Sequence, residues 1–140
     1  NLNSVEIDSV NNLWVGSTAK GVFKFLTSSW QNLLIPGPLS NVFVDLAFDS
    51  QGKVACANDG FGASLLDLNN NWIDIDTLNT QDTPIRTVGV DLQDNVWYGS
   101  WGKGVFKFEP NGNQRIYNQT NSPLKLEPKG SVVVSSISID

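Results

Sequence analysis

Apolar residues along the chain fall in short alternating runs. Val5 and Ile7, Leu13 and Val15, and Phe23 and Phe25 each stand two apart, with polar or differently facing residues between them. The runs are four to six residues long and are bounded by Asn, Gly, Asp and Ser. A two-residue period between turn formers is the pattern of a β-strand. No stretch carries apolar residues at i, i+3, i+4 and i+7 over a helical length. The 12 Gly and the Asn-rich turns would interrupt a helix throughout. The pattern predicts an all-β chain.

The same pattern recurs. Residues 7–25 (IDSVNNLWVGSTAKGVFKF) and 90–108 (VDLQDNVWYGSWGKGVFKF) are offset by 83 and identical at eleven of nineteen positions. A degraded copy stands midway, at 48–66, where Asp49, Val54 and Gly62 match Asp8, Leu13 and Gly21. The steps are 41 and 42 residues, a period that suits a four-stranded propeller blade. The predicted strands are 4–8, 12–17, 21–26 and 30–35; then 43–48, 53–58, 62–68 and 72–76; then 85–91, 95–100, 104–109 and 114–118. These give blade repeats of about 4–40, 41–83 and 84–126, with residues 131–140 as the opening strand of a next blade. The expected fold is an all-β partial propeller of three four-stranded antiparallel blades plus that strand.

Turn chemistry agrees. Asp8–Asn12, Asp49–Lys53 and Asp91–Asn95 each join a first strand to a second, with Asp to accept backbone N–H bonds and Asn or Gly to tolerate positive φ. Each turn offers too few oxygens for the six to eight ligands of Ca²⁺, so these read as hairpins.

The signature D-x-x-x-N-[LV]-W-x-G-[ST]-x-x-x-G-[VL]-x-x-F resembles the two-component regulator propeller repeat. Asp8, Asn12, Leu13, Trp14, Gly16, Ser17, Gly21 and Phe25 carry it in the first copy. Asp91, Asn95, Val96, Trp97, Gly99, Ser100, Gly104 and Phe108 carry it in the third, while the middle copy has Ala55 and Ala57 in place of Trp and Gly. The resemblance implies a ligand-binding or sensing propeller, periplasmic or extracellular, of the kind found chiefly in Bacteroidetes. It implies no catalytic residues and no cofactor. The alternative is a protein–protein interaction scaffold of a surface or secretion-associated protein.

Composition removes other classes. The 140 residues carry 9 Lys+Arg against 14 Asp+Glu, a net charge of -5, which gives no basic face for nucleic acid. The apolar runs are far short of the roughly 20 residues of a membrane helix, so no membrane span is expected. With no His, the Ser-His-Asp and Cys-His nucleophile systems and His-ligated zinc are excluded. Streptogramin lyases, whose repeat is broadly similar, rely on a His that this chain lacks. Cys56, in an apolar stretch, reads as a buried structural thiol. Asp74 and Asp76 share one face of a strand about 7 Å apart by strand rise, which is a glycosidase-like spacing. On an outer strand they read better as solvated surface that discourages edge pairing.

Trp14 and Trp97, in register, are expected to pack between blades, as are Trp30 and Trp72. Trp101 is different, since it stands in the turn between second and third strands. It is a candidate platform for a small carbohydrate or other small-molecule ligand, with Lys103 and Lys20 as hydrogen-bonding partners. Asp59 and Phe61 occupy the matching turn of the second blade, and the blade-joining loops 36–41, 79–84 and 121–130 belong on the same face. Arg86 stands just past one of those loops, where it could serve an anionic ligand or neutralise Asp45. Three blades cannot close a ring. The expected partners are the remaining blades of a parent chain, as for a piece that starts at Asn1 without Met, or a second copy.

Overall fold

The computed structural model describes residues 2–17, 21–26, 28–33, 42–59, 62–75, 83–127 and 130–139. Among these there is no helix, and three antiparallel sheets follow one another along the chain. Blade one is β1 (Leu2–Ile7), β2 (Leu13–Ser17), β3 (Gly21–Leu26) and β4 (Ser29–Leu33), in that order across the sheet. Blade two is β5 (Phe43–Phe48), β6 (Val54–Asn58), β7 (Gly62–Leu66) and β8 (Trp72–Ile75). Blade three is β9 (Ile85–Val90), β10 (Val96–Gly102), β11 (Val105–Phe108) and β12 (Gln114–Tyr117). β1 lies beside β5, and β5 beside β9, so the blades stack side by side as in a propeller.

The first turns are alike for a reason written in the sequence. Asn11, Gly52 and Asp94, each three residues after the turn's Asp, all have positive φ (64°, 93° and 60°). Each returns its N–H to the carbonyl of Asp8, Asp49 or Asp91. Asn, Gly and Asp are the residues that tolerate this left-handed position. The carboxylates are spent on their own turns. Asp8 accepts from the Val10 and Asn12 backbone N–H groups (3.1 and 2.8 Å), from Asn12 Nδ2 (2.8 Å) and from Trp14 Nε1 (2.9 Å). Asp91 repeats the set with Gln93, Asn95 and Trp97 Nε1 (2.8 Å). The Asp, the Asn and the Trp of the repeat are thus one hydrogen-bonded clasp, and no metal-binding cluster forms among the described residues.

Two seams hold the blades together. In seam one, Trp14, Val22 and Leu33 of blade one meet Phe43, Leu46, Val54, Cys56 and Leu66 of blade two. In seam two, Ala55 and Ala63 of blade two meet Ile85, Val88, Val96, Tyr98 and Phe106 of blade three. By register, Ala55 and Ala63 stand where Trp14 and Val22 stand in blade one. The small residues of the middle copy are therefore matched by large ones opposite. Tyr98 and Phe106, fully buried, take the places of Cys56 and Ser64, and the Tyr98 hydroxyl donates to the Ser64 carbonyl (3.3 Å). Close packing needs such compensation, since an unfilled Trp-sized space would cost several kcal/mol, about 3–5 by large-to-small precedent.

Polar links cross the seams too. Asn3 Nδ2 donates to the Phe43 carbonyl (3.0 Å), and Ser50 donates to Asp94 through its N–H and its hydroxyl (both 2.7 Å). Asp45 accepts from Thr87 Oγ1 and Val88 N (both 2.9 Å).

After β12 the chain returns to blade three. β13 (Val132–Val133) pairs antiparallel with the end of β10, and Val134 N donates to the Ser100 carbonyl (2.9 Å). Residues 134–139 run on over the face of β9. Gly89 lies against Ile137 and Ile139, and Gly99 against Thr87 and Val134, so closely that a Cβ at Gly99 would come within 2.6 Å of Thr87 Cγ2. Gly16 is the same position in blade one, where a Cβ would meet Ser4 Oγ at 2.5 Å and Phe43 Cβ at 3.4 Å. The repeated second-strand Gly is thus a clearance for the neighbouring first strands. Within residues 131–139 only Val132 and Val133 form a regular strand.

Trp14 packs in seam one and meets Phe48 edge-on, as expected, and Trp72 stacks on Phe43. The other two differ. Trp30 packs on Phe25 of its own blade and is more than half exposed. Trp97 is half-buried, stacks on Tyr117 of its own blade, and lines an open groove beneath residues 134–139.

Candidate functional site

The edge of blades two and three nearest the β10–β11 turn gathers three of the residues singled out from sequence. β10 extends beyond its pairing with β9, and Trp101 N donates to the Pro84 carbonyl (2.8 Å). Ser100 anchors the turn: its N–H and its hydroxyl donate to the Gly104 carbonyl (2.9 and 2.8 Å), and its hydroxyl accepts from Lys103 N (3.1 Å). Gly104 permits the tight return, since its φ is 92° and a Cβ would collide with the Tyr117 carbonyl. The turn thus projects Trp101 outward with 55% of its surface exposed.

Arg86, on β9, reaches beneath it. Its guanidinium carbon lies 5.3 Å from the centre of the Trp101 ring. Its Nη1 pairs with Asp59 Oδ2 of blade two at 3.1 Å, and its Nε is buried without a hydrogen-bond partner among the described residues. Asp59 is itself fixed by its backbone, whose N–H donates to the Val42 carbonyl (3.1 Å). Asp59, Arg86 and Trp101 therefore form a row across seam two: carboxylate, guanidinium, exposed indole. The ion pair is partly exposed, with about a third of each side chain in contact with solvent. Its direct worth to stability is accordingly small, about 0–1 kcal/mol.

Arg86 does not neutralise Asp45, the partner considered from sequence. Asp45 is committed to Thr87 Oγ1 and Val88 N on the strand carrying Arg86, and the Arg side chain turns to Asp59 instead. Lys103 shares the Trp101 turn, is exposed, and bridges Val132 through its backbone. Lys20 and Phe61 lie outside the described residues, as do loop 36–41, most of loop 79–84, and Asp76.

The clasp carboxylates are poor candidates for proton transfer near neutrality. Burial pushes the Asp91 pKa up, but the bonds from Asn95, Trp97 and the Asn95 and Gln93 N–H groups outweigh it and hold the value down at about 2. Asp8 is lowered in the same way, burial being overcome by Trp14, Asn12 and Val10. The Cys56 thiol is fully buried and pushed well above its ordinary range by desolvation, so it is no nucleophile. What the Asp59–Arg86–Trp101 row can do is bind: an aromatic face for stacking beside fixed donors and acceptors.

The sequence matches no protein-family model and no curated protein. Solved structures share the fold. Virginiamycin B lyase from Staphylococcus aureus superposes with a TM-score of 0.74 at 12% identity over 92% of this chain and 46% of its own. The extracellular domain of the hybrid two-component system BT3049 from B. thetaiotaomicron gives 0.68 at 19% identity, over 82% of this chain and 16% of its own. PorZ, a surface component of the type-IX secretion system of Porphyromonas gingivalis, gives 0.64 at 18% identity, over 89% and 22%. The chain spans less than half the length of each. The fold is that of a β-propeller segment.

Proposed function

We propose that this chain is a non-catalytic, ligand-binding segment of an extracytoplasmic β-propeller, with the Asp59–Arg86–Trp101 row as its ligand-facing edge. The observation that carries the reading is the exposed indole held over a guanidinium that is itself tied to a carboxylate of the neighbouring blade. An aromatic face beside a fixed Arg/Asp pair suits the C–H face and the hydroxyls of a sugar ring, the first ligand class to test. The repeat signature and the extracellular two-component domain that shares the fold support a sensing role outside the cytoplasm. Because the row spans seam two, a ligand bridging Trp101 and Asp59 would stiffen one blade against the next. Similarity in fold to PorZ, together with apolar outer faces, favours as second reading a scaffold that docks other proteins.

Titrating mono- and disaccharides against intrinsic Trp fluorescence tests the proposal. Saturable quenching is expected, weakened at least tenfold by Trp101→Ala and by Arg86→Ala. Trp30→Ala, on the outer strand of blade one, is expected to leave it unchanged. Binding that survives Trp101→Ala would remove the row from the site.

A further inference from the structure

The clasp of blades one and three is incomplete in blade two. Asp8 and Asp91 each take an indole N–H on Oδ2, from Trp14 at 2.9 Å and from Trp97 at 2.8 Å. The same oxygen takes a side-chain amide, from Asn12 or Asn95, at 2.8 Å. In blade two Lys53 stands at the position of the Asn and Ala55 at that of the Trp. Asp49 Oδ1 still accepts from the Gln51 and Lys53 backbone N–H groups, at 3.0 and 2.8 Å. Its Oδ2 has no hydrogen-bond donor among the described residues, and the Lys53 ammonium stands off at 3.8 Å. Yet the Asp49 side chain is only 10% exposed. A carboxylate oxygen so enclosed is costly to leave without a donor.

Asp49 lines a cleft of about 300 Å³ between blades two and three, at the end of seam two away from the Trp101 turn. Leu65, Ile75, Val96 and Phe108 make its apolar walls. Leu65 holds the register position at which Lys24 and Lys107 lie over the Trp14 and Trp97 rings, 4.7 and 5.3 Å from their centres. Val96 and Phe108 correspond to Val54 and Leu66, which pack with Trp14 in seam one. The cleft therefore has the walls and the acceptor of an indole seat. Tyr98 and Phe106 fill the seam next to Ala55, so a Trp tethered at that position would be driven into them, whereas a free ring enters from the turns. Ser50 ties the first turn of blade two to Asp94 of blade three through two bonds of 2.7 Å, which fixes the mouth in advance of any ligand. Around that mouth Asp49, Asp94 and Glu109 outnumber Lys53, a field that disfavours an anion.

We propose that this cleft binds a small, flat aromatic with a ring N–H and no negative charge, an indole or an indolyl amine, whose N–H donates to Asp49 Oδ2 as Trp14 and Trp97 donate to Asp8 and Asp91. The walls take the ring, with Phe108 as its aromatic neighbour. The carboxylates at the mouth favour an ammonium on the ligand's side chain. The site lies between two blades and is separate from the Asp59–Arg86–Trp101 row.

The test is a titration of the isotope-labelled full chain, read by amide NMR shifts, with indole, N-methylindole, tryptamine and indoleacetate as probes. Saturable shifts are expected at Gln51, Lys53 and Asp94 with indole, and at lower concentration with tryptamine. N-methylindole has the ring without the donor and is expected to bind about tenfold more weakly or worse, the worth of one hydrogen bond to a carboxylate. Indoleacetate is expected to fall below tryptamine by a like factor. Asp49→Asn keeps an oxygen for the turn but offers the cleft an amide N–H, and is expected to weaken indole to the same degree. Trp101→Ala is expected to leave indole binding unchanged. N-methylindole binding as tightly as indole overturns the proposal, and that readout needs no variant to fold. So do shifts confined to the Trp101 turn or the Trp97 groove, or no saturable shift with indole and tryptamine. Because the sugar titration reads the opposite end of the seam, either proposal can fail without the other.

Discussion

Replacing Asp8 by Ala removes the acceptor at the centre of the first clasp. Four donors lose their partner, and they are unequal. Val10 N, Asn12 N and Asn12 Nδ2 lie near the surface, where water can replace the carboxylate, so each loss costs about 0.5 kcal/mol. Trp14 Nε1 is in a buried side chain, and an indole N–H left there unpaired costs about 1–3 kcal/mol. The Lys24 ammonium, 3.8 Å from the carboxylate, adds little, at about 0–1 kcal/mol. The expected loss is about 2.5–5.5 kcal/mol, a large share of the roughly 5–15 kcal/mol that holds an ordinary domain together. Urea unfolding followed by Trp fluorescence measures it. A double-mutant cycle with Trp14→Phe isolates the indole bond, with an expected coupling above about 1 kcal/mol. A loss below about 0.5 kcal/mol for Asp8→Ala, or a coupling of zero, would refute the clasp as the reason that Asp, Asn and Trp recur together.

Other consequences follow from the same geometry. Asp91 has a folded-state pKa of about 2, below the roughly 3.9 of an unfolded Asp, so its contribution is fully present above pH ~4 and is lost as pH falls toward 2. Acid titration of the urea midpoint should show that loss, and Asp91→Asn should flatten it. Gly99→Val drives side-chain atoms into Thr87 and Val134 and is expected to cost more than about 2 kcal/mol by thermal melting, with Gly112→Val, in open space, costing less despite its positive φ. Ala55→Trp restores the repeat signature in blade two but overfills seam two, already occupied by Tyr98 and Phe106, and should lower stability by about 1–3 kcal/mol. Cys56 should resist thiol reagents under native conditions and react at once in urea.

The period and the turns were legible because they depend on neighbours in sequence: alternation sets the strands, and Asp with Asn or Gly sets the hairpin that joins them. Relations between blades were harder to read. The repeat shows that Asp8, Asn12 and Trp14 belong together, yet the bond from the Trp14 ring to Asp8 depends on how the second strand faces the turn. Ala55 looked like decay of the signature, whereas its compensation sits in Tyr98 and Phe106, beyond the next blade boundary. Arg86 offered two nearby carboxylates, and the choice fell to Asp59 because Asp45 is already satisfied by Thr87 and Val88. Trp97 shares its position with Trp14 and differs only in having no second and third strands of a following blade against it among the described residues.

Among the described residues, blade two is clamped by two seams while each outer blade has one. Amide hydrogen exchange read by NMR tests it most directly, because protection follows local burial and opening. The slowest exchange is expected in β6, whose five residues are all buried, and in β9 beside it, with β1 and β4 fastest. Protection as high in β4 and β1 as in β6 would contradict the seam architecture.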